Sequence, residues 1–333
     1  MSKIIIDEIS PKIILPGANL KITGRGFDAW KLTDNDIIMP SAKARIMAAS
    51  ENTIIVEVPE NTKSGYIYIK FNGDVSNKIK IIVPQAIAEN LHNVDNPVID
   101  SKGNIFATFS GSRGQTAPVS IFKIKPPSYE KQIFITDIPN PTSMVIAKDG
   151  ILYVSSRMTG KIYKCFDYEN YEIFAQGLGV AFGLSVNSEG EMFVGDRTGS
   201  LYHVYPNGQA IFYRSIPQSY IAYHMGFDNT DNLYITNPIH MGENSIIRIN
   251  RKGHLEEYHT NYSMFHGFCF DKKNNMYIAE SKRSISNILK ISPKKKISNI
   301  MSGKDLLGVC MDINQNLIVS TKTSLYLIEK KYL

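Results

Sequence analysis

Six segments with one shared pattern occupy the last three-quarters of the chain. They read NPVIDSKGNIFATF (96–109), NPTSMVIAKDGILYVSS (140–156), FGLSVNSEGEMFVGD (182–196), HMGFDNTDNLYITN (224–237), HGFCFDKKNNMYIAE (266–280) and LGVCMDINQNLIVST (307–321). Consecutive segments begin 41–44 residues apart. Each has an apolar run, a turn rich in Asp, Asn and Gly, and a second run rich in Tyr, Phe, Val and Ile, which is typical of two antiparallel strands. A repeat of this period indicates several copies of one supersecondary unit.

Two more β-rich runs follow each segment, as in residues 161–164 and 171–174 of the second copy. Four antiparallel strands per ~40–50 residues predict one blade of a β-propeller. The last copy has only three such runs before Leu333, and residues 85–91 align with the missing fourth strand. The sequence therefore predicts a six-bladed propeller over residues 85–333, closed by a strand at 85–91, which removes the exposed edges.

Residues 1–84 carry a different pattern of short β-rich runs separated by Pro, Gly, Asn and Asp. Pro59 ends the run 54–58 because proline cannot donate a ladder hydrogen bond. The dipeptide Asn72-Gly73 indicates a two-residue hairpin turn. The pattern predicts an all-β, Ig-like β-sandwich over residues 1–84, able to fold alone, in front of the propeller.

Charge and composition exclude some classes of function. The 333 residues include 43% hydrophobic and 20% charged residues, with a formal net charge of +6, which is ordinary for a globular protein. The basic clusters, 294–296 and 330–331, are short and lie at predicted turns or ends. Nucleic-acid binding requires a wider basic stripe, so the sequence disfavours it.

The start of the chain, MSKIIIDEIS, lacks the apolar core of a signal peptide, and no apolar run reaches the ~18 residues of a membrane span. The cysteines, Cys165, Cys269 and Cys310, are odd in number and far apart, which predicts isolated buried thiols. These features predict a cytoplasmic protein without a membrane span.

Polar residues recur at one phase of the repeat, where the first strand of a blade begins and the second ends. We predict that this face binds a small molecule or a protein. The first ring is Asn96, Asn140, Phe182, His224, His266 and Leu307, and the second is Phe109, Ser156, Asp196, Asn237, Glu280 and Thr321. Three arginines lie just outside the second ring: Arg113, Arg157 and Arg197. The predicted ligand-binding residues are Asn96, Asn140, Ser156, Arg157, Asp196, Arg197, His224, Asn237, His266 and Glu280.

Each of these residues has a structural alternative. His224 and His266 either contact a ligand, ligate a metal or hydrogen-bond a carbonyl of a neighbouring blade. Asp196 and Glu280 either face the ligand or form ion pairs between blades. If the face binds a ligand, replacement of His224 and Asp196 by Ala is expected to abolish binding at little cost in stability.

Several glycine and proline positions in the first 84 residues match a known domain family. Ile9-Ser10-Pro11, Pro16-Gly17, Ile22–Phe27, Val56–Pro59, Ser64-Gly65 and Ser76-Asn77 resemble an IPT/TIG domain. The resemblance covers residues 3–84 and implies an interaction or spacer module without chemistry of its own.

The repeats resemble NHL-repeat and senescence-marker/gluconolactonase-like propellers, and they lack the Trp-Asp endings of WD repeats. The gluconolactonase resemblance implies a divalent cation (Ca²⁺, Zn²⁺ or Mn²⁺) that polarises a lactone carbonyl. Asp95 takes the place of the family's Glu, and Asn140 matches its Asn. Phe182 and His224 replace a second Asn and an Asp, which leaves Asp95, Asn140 and His224 as the predicted metal ligands.

The departure at Phe182 weighs against an intact lactonase site, because a metal site requires its full ligand set. The sequence itself assigns no cofactor. The leading interpretation is a non-catalytic ligand- or protein-binding propeller with a docking or spacer domain. The alternative is a divalent-metal-dependent lactonase or esterase.

Overall fold

The computed structural model describes residues 4–28, 35–71, 73–110, 117–217, 221–238 and 242–333. These residues form an all-β structure of 33 strands with one short 3-10 helix, Lys330–Tyr332. No helix in these ranges has the length and apolarity needed to cross a membrane. Arg113 and Asn72 lie outside the described residues.

Six four-stranded antiparallel units make up the propeller, one per repeat. Blade one comprises β11 (Val98–Ile99), β12 (Ile105–Thr108), β13 (Ile121–Lys125) and β14 (Glu130–Ile135). Blade two comprises β15 (Pro141–Ile146), β16 (Leu152–Ser156), β17 (Lys161–Asp167) and β18 (Asn170–Ala175). Blade three comprises β19 (Ala181–Val186), β20 (Met192–Asp196), β21 (Ser200–Val204) and β22 (Ala210–Ser215). Blade four comprises β23 (His224–Phe227), β24 (Leu233–Thr236), β25 (Asn244–Ile249) and β26 (Leu255–Asn261). Blade five comprises β27 (Met264–Phe270), β28 (Met276–Lys282), β29 (Ile285–Ile291) and β30 (Ile297–Gly303). The six-bladed propeller is confirmed.

Blade six is assembled from both ends of the propeller sequence. Its own strands are β31 (Leu306–Met311), β32 (Leu317–Thr321) and β33 (Leu325–Ile328), and β10 (Ala86–Ala88) pairs antiparallel with β33. The backbone N–H of Leu91 donates to Thr323 O at 3.0 Å, and that of Asn93 donates to Lys322 O at 2.8 Å. The closing contact therefore runs from β10 through residue 93.

Apolar clusters fill every boundary between neighbouring blades. The boundary of blades four and five, for example, contains Tyr234 from one blade and Phe265 and Phe268 from the other. Equivalent clusters join the remaining pairs around the ring, including blades six and one. Since both faces of each blade are buried, the strands read as nearly continuous apolar runs, and burial of this surface stabilises the ring.

The predicted Asp/Asn turns join the first two strands of most blades. In blade four, one carboxylate oxygen of Asp228 accepts N–H bonds from Thr230 and Asn232, both at 2.9 Å, and the other accepts the Asn232 amide at 2.7 Å. Asp100, Asp271 and Asp312 bind the asparagine four residues later in the same way. Burial by itself would raise the pKa of Asp228, but these hydrogen bonds outweigh it and lower that pKa.

Residues 4–83 form a unit of nine strands in front of the propeller. They are β1 (Ile5–Ser10), β2 (Ile13–Ile14), β3 (Asn19–Arg25), β4 (Asn35–Ile38), β5 (Lys43–Ala49), β6 (Thr53–Glu57), β7 (Gly65–Phe71), β8 (Asp74–Val75) and β9 (Ile79–Ile81). Seven of them follow one pairing path, β1-β3-β6-β5-β4-β7-β8, and an eighth, β9, also pairs with β7. An apolar core including Leu20, Val56 and Ile67 packs between them. Phe71 pairs with Asp74, as a hairpin at 72–73 requires.

The ninth strand, β2, leaves this unit and adds to blade five. It pairs parallel with β30, and the side chains of Ile13 and Leu15 join the cluster between blades five and six at 2% and 4% exposure. The Nζ of Lys304 also lies 2.9 Å from Glu60 Oε1. Separation of residues 1–84 from the propeller would expose Ile13 and Leu15 to water, a cost that the expectation of independent folding did not include.

Candidate functional site

A cavity of about 720 Å³ opens on the face where the first strands begin and the second strands end. Volumes of this size are typical of small-molecule sites. The apolar residues of the wall are Val94, Phe182, Ile221, Tyr223, Pro238, Met264, Leu306 and Leu307. The polar and charged residues are His92, Asn93, His224, Asn237, His266, Ser281, Arg283, Ser284, Ser286, Lys304, Asp305 and Lys322.

His224, which lines this cavity, forms a buried pair with Asp95. The His224 Nδ1 and the Asp95 Oδ1 are 2.5 Å apart, and the two side chains are 1% and 3% exposed. The same carboxylate oxygen accepts the backbone N–H of Asn96 at 2.7 Å. A carboxylate on Nδ1 fixes the orientation of the imidazole and its tautomer, with Nε2 as the remaining basic nitrogen.

His266 is the second histidine of the wall and is half-buried. Its Nε2 lies 2.7 Å from the Ser281 hydroxyl, and its ring centroid lies 6.3 Å from that of His224. The two histidines begin neighbouring blades at equivalent repeat positions, which explains their proximity. The ring of blades brings them together although they lie 42 residues apart in sequence.

An aromatic wall adjoins the histidines. The Phe182 and Tyr223 rings have centroids 4.7 Å apart at an interplanar angle of 31°, and the Tyr223 and His224 centroids are 4.6 Å apart. Burial raises the pKa of Tyr223, although the neighbouring Arg157 guanidinium, which hydrogen-bonds to it, lowers this pKa in part. The phenol therefore stays protonated at neutral pH. Arg157 supports the wall from behind and is not among the described lining residues.

Asn96 has a structural function. Its amide donates to Phe268 O at 3.1 Å in blade five, and its oxygen accepts Val309 N–H at 2.8 Å in blade six. A Cβ at Gly267 would lie 2.1 Å from the Asn96 Oδ1, and a Cβ at Gly308 would lie 2.8 Å from its Cα. Two neighbouring blades therefore require glycine so that Asn96 can tie them together.

Other predicted site residues hydrogen-bond to protein groups and are not among the described lining residues of the cavity. The Asp196 carboxylate accepts hydrogen bonds from Thr198 and Ser200, and the Ser156 hydroxyl donates to Pro139 O at 2.5 Å. Asn140 accepts a bond from Arg157 at 3.3 Å. Glu280 accepts a bond from the Asn261 amide at 3.2 Å, and the Arg197 side chain is exposed.

Three of the ten predicted ligand-binding residues thus line the cavity, namely His224, Asn237 and His266, together with Phe182 and Leu307 from the first ring. The charged lining residues Arg283, Lys304 and Lys322 were missed. Lys322 follows a second strand at the same repeat phase as Arg157 and Arg197, and this phase could have identified it. Arg283 lies in the β28–β29 hairpin and Lys304 in the connection between blades five and six, both outside the repeated segments, where no sequence signal marks them.

The predicted metal ligands do not form a suitable site. Asp95 and His224 are hydrogen-bonded directly to each other, and the side chain of Asn140 contacts Arg157 and Met158. In the described ranges, no group of three or more His, Cys, Asp or Glu side chains is arranged to hold a metal ion. The residues present therefore do not fit the cation that the gluconolactonase resemblance implies.

The cysteines are free thiols, as the sequence predicts, but Cys269 and Cys310 are not isolated, because each lies close enough to the other to interact electrostatically. Burial raises the pKa of Cys165 to about 12 and also raises the pKa values of Cys269 and Cys310. Since the thiolate is the reactive form, none of the three is poised for nucleophilic or redox chemistry.

No family model matches the sequence, and no curated protein matches it significantly. Solved structures do resemble it. An auxiliary nutrient binding protein from Bacteroides ovatus aligns with a TM-score of 0.57 and 12% identity, over 98% of each chain. A catalytically inactive virginiamycin B lyase from Staphylococcus aureus, solved with quinupristin, aligns with a TM-score of 0.55 and 14% identity, over 89% of this chain and 96% of the lyase.

The X-ray structure named "putative gluconolactonase" aligns with a TM-score of 0.59 and 10% identity, over 74% of this chain and 91% of that one. At these identities the likeness establishes a shared fold and nothing about chemistry. The chain is a six-bladed β-propeller whose structural neighbours include gluconolactonase-like, lyase and nutrient-binding proteins.

Proposed function

We propose that the propeller is a small-molecule binding protein whose ligand occupies the 720 Å³ cavity. The observation that carries this proposal is the composition of the wall, in which the aromatic pair Phe182 and Tyr223 lies beside the polar groups of His224 and His266. An apolar surface with a few convergent polar groups is the usual architecture of a ligand pocket. A protein of similar fold is an auxiliary nutrient binding protein, which is compatible with a ligand-binding function.

The N-terminal unit is proposed to be an IPT/TIG-type docking or spacer domain that ends near residue 84. Its β-strand pairing around an apolar core and the Gly and Pro positions of the sequence support this assignment. The attachment of β2 to blade five would hold the unit in a fixed position beside the cavity. A cytoplasmic location likewise remains a proposal based on the sequence.

Substitution of Leu307 by Trp is expected to abolish binding, because the indole would project into the cavity that Leu307 lines. A suitable probe is the neutral dye N-phenyl-1-naphthylamine, whose fluorescence increases in apolar surroundings. We expect saturable binding at one site in the wild type and at least about tenfold weaker binding in Leu307→Trp, a difference of ~1.4 kcal/mol.

The matched control is Ile313→Trp, since Ile313 is 76% exposed in the turn at the opposite end of β31. This variant should bind the dye like the wild type. Equal binding by Leu307→Trp would refute the assignment of the cavity as the ligand site.

A second candidate function is a reaction that begins with proton removal by a histidine. The observation that favours it is that His224 and His266 line one cavity with their ring centroids 6.3 Å apart. Each ring is hydrogen-bonded to another side chain, His224 to Asp95 and His266 to Ser281. Among the neighbours, a histidine-to-alanine variant of the lyase is catalytically inactive. General bases of this kind contribute ~10²–10⁴-fold to a rate. A lactonase through a bound cation is not carried forward, since the ligands do not assemble.

Incubation with glucono-lactone and with quinupristin, followed by mass spectrometry, separates the two functions. The binding proposal predicts that both compounds remain unchanged beyond the buffer rate. Turnover that disappears in His266→Ala would establish the enzymatic function instead. The His266 side chain is the better choice for this test, because it is half-buried and the His224 pair supports the fold.

A further inference from the structure

We infer that the ligand of this cavity is an amphipathic anion, with an apolar body against Phe182 and Tyr223 and an acidic group at Arg283. This inference rests on the proposed binding function and specifies the chemical class of its ligand. The described wall contains three permanently cationic side chains, Arg283, Lys304 and Lys322, and one carboxylate, Asp305. An excess of one charge in a cleft selects ligands of the opposite sign.

The three cations differ in what already neutralises them. The Lys322 Nζ lies 3.0 Å from the Asp305 Oδ1, and the Lys304 Nζ lies 2.9 Å from the Glu60 Oε1. Arg283 lies in the exposed turn between β28 and β29 and makes no ion pair within the part of the chain that the structure describes. Arg283 is therefore the cation most available to a ligand, and its planar guanidinium suits a carboxylate, sulfonate or phosphate.

The N-terminal unit moderates this charge. Among the described residues of the N-terminal unit, only Glu60 forms an ion pair with a residue of the cavity wall, Lys304. Lys304 also lines a smaller groove of about 380 Å³. That groove is formed between Leu15, Pro16 and Glu60 on one side and residues of blades five and six on the other. Removal of the Glu60 charge would release Lys304 to the ligand.

Two related dyes test the inference. 1-Anilinonaphthalene-8-sulfonate is an amphipathic anion, and N-phenyl-1-naphthylamine has the same rings without the sulfonate. In fluorescence titrations of the full chain at low salt, Arg283→Gln should weaken the sulfonate dye about threefold to fivefold, the effect of one exposed charge contact. Binding of the neutral dye should not change. Glu60→Gln should strengthen the sulfonate dye by a similar factor, and added salt should reduce both effects.

Lys294→Gln is the control, because Lys294 is an exposed lysine in a turn away from the cavity and loses the same charge. It should leave both dyes unaffected. An unchanged sulfonate affinity in Arg283→Gln, or equal losses for the two dyes, would overturn the anion inference while the binding function stands. Failure of both dyes to bind the wild type would instead remove the proposed function and this inference with it.

Discussion

Replacement of residues 85–91 by seven Gly and Ser residues is expected to produce the largest loss of stability of any change in the propeller. The replacement keeps the chain connected but removes β10 from blade six. It deletes the buried side chains of Ala88 and Leu91 from the cluster between blades six and one. It also leaves the edge of β33 unpaired and free to associate with other chains.

The cost follows from the groups that are lost. A buried leucine truncated to a small side chain costs ~2–5 kcal/mol, and each lost ladder hydrogen bond adds ~1 kcal/mol. We therefore expect a melting temperature lower by at least about 10 °C, since ~1 kcal/mol corresponds to 2–4 °C in chains of this size. Differential scanning calorimetry measures the shift, and size-exclusion chromatography reports the association of exposed edges.

The matched control changes only Glu89 to Ser and Asn90 to Gly in the same segment. Both side chains are exposed, and Asn90 has a φ of 57°, which glycine adopts readily. This double variant should melt within a few degrees of the wild type. A wild-type melting temperature for the Gly/Ser replacement would show that β10 does not close the ring.

Replacement of His224 by Ala is expected to destabilise the protein strongly, because it would leave the Asp95 carboxylate buried without its partner. Removing one member of a buried pair typically costs ~3–5 kcal/mol. The sequence-based expectation for replacement of both His224 and Asp196 was a small cost in stability. The buried pair leads us to expect a large one for His224 alone, since His224 is 1% exposed and 2.5 Å from Asp95. Chemical denaturation of each variant measures the loss.

A double-mutant cycle measures the interaction between Asp95 and His224 separately from the other effects of each substitution. Asp95→Ala should also be costly, because the backbone N–H of Asn96 loses its acceptor as well. The double variant should cost less than the two single losses combined, since no unpaired charge remains. Lys43→Ala, which breaks an exposed ion pair with Asp36, should cost at most ~1 kcal/mol. Strict additivity of the two buried changes would contradict the coupling.

The closing strand shows how much of the fold could be predicted from the sequence. Apolar runs and Asp/Asn turns are local features, and their repetition every 41–44 residues predicts six equivalent blades. The incomplete sixth repeat and the apolar Ala86–Ala88 segment then predict which ends meet. Local patterns did not reveal β4 and β5, whose residues follow no clear alternation. The β-rich run at residues 12–15 contains β2, but no local pattern predicted that β2 pairs with blade five.

The ligand site depended much more on the tertiary structure. Repeat phase predicted the face on which the cavity opens, and His224, Asn237 and His266 line that cavity, because equivalent positions of a ring converge at one mouth. The same phase also holds Asn96, Asp196 and Ser156, and hydrogen bonds to neighbouring blades or local turns occupy these side chains. Whether such a side chain is free to meet a ligand depends on these hydrogen-bond partners, which repeat phase does not predict.

The sequence by itself determined the all-β class, the six blades, the closing strand and the absence of a disulfide among the three cysteines. These properties follow from periodicity and spacing, which are local or repeat along the chain. Only the tertiary structure decided the Asp95–His224 pair, the Arg283 and Lys304 rim, and the attachment of Ile13 and Leu15 to blade five. The physical reason is that these contacts join residues 129 or more positions apart, or involve residues in turns and connections outside the repeat, where no local pattern encodes the partner.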